Sequence, residues 1–180
     1  MEKIKNVCAR STFFLGRKKE FVRGCRIIVL MQSIERKIFV DADSCPVRKE
    51  VLLVSREFDV VPVFVSSYAH VPNMKEERSN YVIVDKEKEA VDLYIANHVR
   101  ANDIVITNDY ALAFLALMKK AIVLSPRGKN MTESNIRFLL DVRHDQRKLR
   151  RSGGRTKGPK AMKKEDRVHF YQKLRKLFMT

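Results

Sequence analysis

The sequence predicts an α/β domain, with a mainly parallel central sheet flanked by helices and a basic helical tail at the C-terminus. Two observations carry this. Short, continuous apolar runs alternate with segments of helical periodicity, the pattern of parallel strands covered on both faces. The last third of the chain then changes composition and turns strongly basic. At 180 residues, 45% of them apolar, the chain fits one domain with a core of ordinary size.

The elements follow in order from Lys37. Lys37–Ala42 is a short apolar strand running into acids, and Pro46 suits the first turn of a helix. That helix carries Val47, Val51, Val54 and Phe58 at spacings of four, three and four. Val60–Ser66 is a second strand and Asn80–Asp85 a third, followed by a helix from about Glu87 to Val99. Asp103–Asn108 is a fourth strand. Tyr110–Met118 is apolar nearly all round and is expected to be a buried helix. Ala121–Leu124 is a fifth strand, ending in the turn Ser125-Pro126-Arg127-Gly128. Thr132–Arg151 opens with an apolar stripe of Ile136, Leu139 and Leu140 before turning basic. Ser152–Pro159 reads as a hinge, and Lys163–Met179 as an amphipathic helix with Phe170, Tyr171, Leu174, Leu177 and Phe178 on one side. The expected division is an N-terminal extension (1–36), an α/β domain (37–151) and a basic hinge with its helix (152–180).

Residues 1–36 are rich in Lys and Arg and lack periodicity. They read as a basic arm, an organellar transit peptide or an upstream extension; Met31, just before the first clear strand, favours the extension, and the first 30 residues are expected to be dispensable for folding. The three cysteines (Cys8, Cys25 and Cys45) form no C-x-x-C pair, and the longest apolar run is only Tyr110–Met118, so a cytoplasmic protein with no membrane span is expected.

A formal charge of +16 points to a polyanionic partner, nucleic acid or an anionic surface. Between Arg143 and Lys176 there are fourteen Lys/Arg and three acids. The candidate nucleic-acid contacts are Arg127, Arg143, Arg147, Lys148, Arg150, Arg151, Arg155, Lys157 and Lys160. Arg127 could equally serve the turn it occupies, and the apolar side of the last helix could simply dock it on the domain.

The chemistry is expected where the strands end, because ligands of parallel α/β sheets sit beyond the carboxyl ends of the strands. Asp41 and Asp43 follow the first strand and Asp109 the fourth; Asp92, between Val91 and Ile95, is expected to turn inward. Carboxylates brought together repel unless a cation joins them, and hard oxygen donors suit Mg²⁺ or Mn²⁺. Singly, each acid has an ordinary alternative: Asp43 as a helix cap, Asp109 as the N-cap before Ala111. Cys45 stands at a helix start, where a thiolate would be stabilised, but no histidine partner is apparent. The four histidines, His70, His98, His144 and His169, show no metal-ligand spacing. Ser66-Ser67 and the Ser125–Gly128 turn end strands and could line the same mouth.

The segments FVDADSCPV, EAVDLYIANHVRANDIVITNDYALA, LSPRG and GPKAMKKEDRVHFYQKL, in this order, resemble the bacterial YaiI/YqxD family over about Lys37 to Leu177. That family is regarded as PIN-like, and the PIN superfamily contains many metal-dependent ribonucleases. The resemblance implies a PIN-like fold and a nuclease-like site acting on RNA, with Asp41 as the acid ending strand one, Asp92 as the helix acid and Asp109, in TND, as the acid after strand four. Asp43 matches no fixed PIN acid.

Two rival readings stand beside this. VDADSC resembles the D-x-D motif of haloacid-dehalogenase-like phosphatases, with Asp41 as nucleophile, Asp43 as acid/base and Ser66 as the phosphate-binding serine. That reading leaves Asp92 without a role and lacks a second acid after Asp109. The other rival is a non-catalytic RNA- or ribosome-binding protein on a PIN-like scaffold, which the basic tail fits equally well.

Overall fold

The structure is a computed structural model that describes residues 36–68, 79–85, 87, 89–155, 158 and 160–179. The expectations for residues 1–35, and for Lys157 and His70, lie outside the described residues. The elements run β1 (Ile38–Asp41), α1 (Arg48–Glu57), β2 (Pro62–Ser67), β3 (Asn80–Val84), α2 (Ala90–His98), β4 (Ile104–Ile106), α3 (Tyr110–Met118), β5 (Ile122–Leu124), β6 (Asn130–Met131), α4 (Glu133–Arg151) and α5 (Lys164–Met179).

One six-stranded sheet has the order β3-β2-β1-β4-β5-β6, parallel throughout except for β6. The chain builds outward from β1 to β2 and β3, then crosses back through α2 to place β4 on the other side of β1. This reversal opens a crevice at the carboxyl ends of β1 and β4, the usual place for a ligand in such a sheet.

The sheet is covered on both faces, as its apolar strands require. Ile38 and Val40 of β1 pack with Val47, Val51 and Val54 at α1 and with Phe170 and Leu174 of α5. Phe39, pointing the other way, packs with Ile95 of α2, Leu112 and Ala116 of α3 and Ile136 of α4. The two-residue period of a strand puts Asp41 on the same face as Phe39, toward α2 and α3. This mostly parallel α/β arrangement with its C-terminal helix is consistent with a PIN-like fold.

Several details differ from the sequence expectations. Helix α3 is buried along one side only: Leu112, Ala113, Ala116 and Leu117 are covered, whereas Leu115 is 41% and Met118 66% exposed. An all-apolar helix on the outer layer of a three-layer domain has no second layer to cover its far side. Strand β6 went unread, since two residues carry no periodicity.

Helix α5 is part of the core. Phe170 and Leu174 are fully buried, Phe178 stacks on Phe58 at 5.1 Å, and Arg175 and Tyr171 both bond Glu57. The Ser125–Gly128 turn meets the start of this helix: Arg127 bonds Asp166 at 2.8 Å and also the Lys160 carbonyl. Gly128, at φ +75°, lies so close to α5 that a Cβ there would come within 2.6 Å of the His169 ring. The turn therefore needs glycine both for its backbone and for the approach of the helix.

Candidate functional site at the carboxyl edge of β1 and β4

Asp41 closes β1 and is 7% exposed. Its Oδ2 accepts hydrogen bonds from the Ser44 hydroxyl (2.8 Å) and from the buried Thr107 hydroxyl (3.0 Å) just after β4. Burial pushes the Asp41 carboxyl above the usual carboxylate range, these two hydroxyls pull it back, and the charges of Asp43 and Asp109 push it up again.

The same Thr107 Oγ1 accepts the backbone N–H of Asp109 at 2.9 Å, so one hydroxyl fixes both acids across the β1–β4 seam. Asp109 caps α3: its Oδ1 accepts the Ala111 N–H at 2.7 Å. Its Oδ2 accepts from the Arg143 guanidinium of α4 at 3.0 Å, and that guanidinium also lies over the Tyr110 ring, 5.8 Å from its centroid.

Asp92 stands in the first turn of α2, half-buried, and none of the hydrogen bonds or ion pairs among the described residues reaches its carboxylate. Its pKa is pushed up to about 6, first by burial, then by the charges of Asp109, Asp41 and Glu89, with Arg143 acting in the opposite sense. Asp41, Asp92 and Asp109 thus feel one another at one sheet edge.

The raised Asp92 has a thermodynamic consequence. Between its unfolded value near 4 and its folded value near 6, the folded protein binds more protons than the unfolded chain, so stability falls as pH rises through this window. The cost is fully present above pH 6 and absent below pH 4. Asp92→Asn should therefore stabilise the metal-free protein at pH 7 by about 1 kcal/mol, a value reduced for the carboxylate's partial exposure, and flatten the decline between pH 4 and 6. Urea unfolding across that range checks this; an unchanged pH profile would contradict the coupling.

Asp43 behaves differently. Its carboxylate accepts the Ser66 hydroxyl at 2.7 Å and the Ser67 N–H at 3.1 Å, bracing the β1–α1 loop against β2. It is therefore not the helix cap the sequence suggested; Val47 holds the N-cap position of α1, with no side-chain cap. Ser66 is fully buried by the same bond, so its hydroxyl faces Asp43 rather than an open mouth. Cys45 is buried and pushed up to about 12, chiefly by desolvation, which removes the thiolate expected at a helix start.

The basic residues divide by place. The face of α4 that packs inward through Ile136 and Leu140 continues one turn later as Arg143, and then as Arg147, Arg150 and Arg151 at helical spacing. Arg147, Arg150 and Arg151 are exposed, as are Lys148, Arg155 and Lys160. Arg127 is instead committed to Asp166 and the Lys160 carbonyl.

Three carboxylates at this edge have the donor chemistry of a site for a hard divalent cation. The arrangement is open, however: among the described residues no three acidic, thiol or imidazole side chains are grouped so as to hold a metal ion. Sequence reasoning missed Thr107 and Ser44, which hold Asp41, and the pairing of Arg143 with Asp109. The spacing in TND, a hydroxyl two residues before the acid, was the available signal for Thr107.

The fold and this edge together define a mostly parallel α/β protein, consistent with a PIN-like fold, with acids at its topological switch point. Residues 39–180 match the family described as "Uncharacterized BCR, YaiI/YqxD family", and the chain belongs to that family. It is 47% identical over 156 residues to a UPF0178 protein of Bacillus velezensis, covering 87% of this chain and 92% of the relative. A UPF0178 protein of Halalkalibacterium halodurans is 51% identical over 142 residues (78% and 89%), and one of Bacillus cytotoxicus 45% identical over 147 residues (82% and 95%). No solved structure matches the chain. No helix among the described residues is long and apolar enough to cross a membrane.

Proposed function

We propose that this chain is a nuclease-like protein that acts on or binds RNA, with Mg²⁺ or Mn²⁺ held among Asp41, Asp92 and Asp109. The observation that carries the reading is the gathering of carboxylates at the switch point: Asp92 has no hydrogen-bond or ion-pair partner among the described residues and is raised to about 6, first by burial and then by Asp109 and Asp41. Excess negative charge at a ligand crevice costs stability and is relieved by a cation. Such an ion would activate water and offset charge on the leaving oxygen of a phosphodiester. The protein's own groups would orient the site: Thr107 and Ser44 fix Asp41, and the helix cap fixes Asp109. The arginine face of α4, leading away from Asp109, would hold phosphates of a strand.

The open arrangement of the acids favours a second reading, an RNA- or ribosome-binding protein without catalysis on the same scaffold. Cation binding tests the first part of the proposal. Mg²⁺ or Mn²⁺ should raise the melting temperature of the full chain by mass action, and the Asp41→Asn/Asp109→Asn double variant should lose that response. Equal shifts in both proteins would sink the cation site.

A further inference from the structure

Helix α4 runs for 19 residues yet gives only one side to the domain. Ile136 is buried and Leu140 packs against the same core, whereas Phe138 is 68% and Leu149 48% exposed. Phe138, Val142, Asp145 and Leu149 recur at spacings of four, three and four, so they form one stripe on the side of the helix away from Ile136 and Arg147. That spacing is the seam along which one helix meets another. None of these four side chains joins either core cluster of the described residues. Gly154 folds back against Leu149 but has no side chain with which to cover it.

Charge selects the partner. The first half of α4 carries Glu133 and Asp141 against Arg137, and the second half Arg143, Arg147, Lys148, Arg150 and Arg151 against Asp145. Two parallel copies would set basic half on basic half and Asp145 on Asp145. Two antiparallel copies set the basic half of each against the acidic half of the other, with their helix dipoles opposed. The seam then fixes the register: Phe138 meets Leu149 of the second copy, and Val142 meets its Asp145. In this register Asp141, on one flank of the stripe, comes beside Lys148 of the second copy, and the two-fold axis repeats the pair. Neither the Asp141 nor the Lys148 side chain makes an ion pair or hydrogen bond among the described residues.

We propose that the outer stripe of α4 is a self-association surface on which a second copy of this chain packs antiparallel. The stripe complements its own two-fold image in apolar contact and in charge, which is what a second copy requires and what a polyanion does not. Asp145 in the middle of the seam faces Val142 of the second copy and keeps the association weak and reversible. Arg143 and Arg147 lie away from the stripe, so the dimer leaves the arginine row open and carries it twice.

Sedimentation equilibrium of the full chain, freed of nucleic acid, tests this with wild type, Phe138→Ala, Asp141→Lys, Lys148→Glu and the Asp141→Lys/Lys148→Glu double reversal. All three positions are exposed, so the monomer should fold in every variant, which circular dichroism verifies. Wild type should show a monomer–dimer equilibrium in the micromolar range, the strength of a small interface. Phe138→Ala should weaken it about tenfold, as loss of an aromatic anchor does. Each single reversal brings like charges together twice and should weaken it about fivefold, and the double reversal should return it to near wild type. Wild type that stays monomeric throughout that range overturns the proposal, as does a dimer that Phe138→Ala leaves unchanged. A double reversal no tighter than either single variant overturns the antiparallel register. Association that appears only when an oligonucleotide is added assigns the stripe to nucleic acid and overturns self-association.

Discussion

Phe170→Ala is expected to destabilise the protein by about 3–5 kcal/mol, the cost of emptying a fully packed aromatic site. The side chain is wholly buried beside Leu174 and belongs to the cluster of Ile38, Val40, Val54 and Phe64, so the cavity would open against the central strand. Val168, on the same helix but 49% exposed, provides the control: Val168→Ala should stay within about 0.5 kcal/mol of wild type. Urea unfolding of the two variants separates a core helix from a detachable tail. A loss below 1 kcal/mol for Phe170→Ala would mean that α5 is dispensable. The ion pairs Arg175–Glu57 and Arg167–Glu50 also tie α5 to α1, but partly exposed pairs contribute little beside that burial.

This bears on where nucleic acid would be sought. The basic stretch Arg143–Lys176 reads in sequence as one electrostatic unit, yet it divides at the hinge. Helix α4 projects Arg147 and Arg151 into solvent, whereas α5 spends Arg167 and Arg175 on acids of α1. Deleting the chain after Arg151 would remove part of the core along with the charge. Substitutions within α4 are the cleaner probe of phosphate contacts.

The central elements were legible because each strand carries a continuous apolar run and each helix a matching stripe. Tyr110–Met118 was placed to the residue, and β1, β2, β4 and β5 to within one or two. Helix α2 starts at Ala90, about three residues later than its composition suggested, after Glu89 at a left-handed φ of 71°. What sequence could not give were the long-range partners. Arg143 meets Asp109 across 34 residues and Arg127 meets Asp166 across 39, and no local pattern encodes either. Asp43 illustrates the same limit: its place two residues after Asp41 suggested a shared ion, but the turn that follows β1 carries it toward Ser66 on β2. The acids of the candidate site were legible because they follow strands; the groups that hold and neutralise them were not.

The second large effect concerns chemistry. Asp109→Asn keeps the size of the side chain and an oxygen that can still cap α3 through Ala111, but it removes the charge at the oxygen facing Arg143. If the acidic edge supports phosphodiester hydrolysis, loss of that charge should cost activity far more than binding, because the arginine row of α4 is untouched. The variant's RNA affinity should remain near wild type, and stability should change little, since an asparagine is as good an N-cap as an aspartate.

The most direct measurement is cleavage of labelled single-stranded RNA by the purified full chain with Mn²⁺ or Mg²⁺, run beside Asp109→Asn and paired with an RNA-binding titration of both proteins. The account predicts metal-dependent cleavage by wild type, and no cleavage with nearly unchanged RNA affinity in Asp109→Asn. Absence of cleavage by wild type with either metal, across several RNA and DNA substrates, or cleavage that persists in Asp109→Asn, would contradict it.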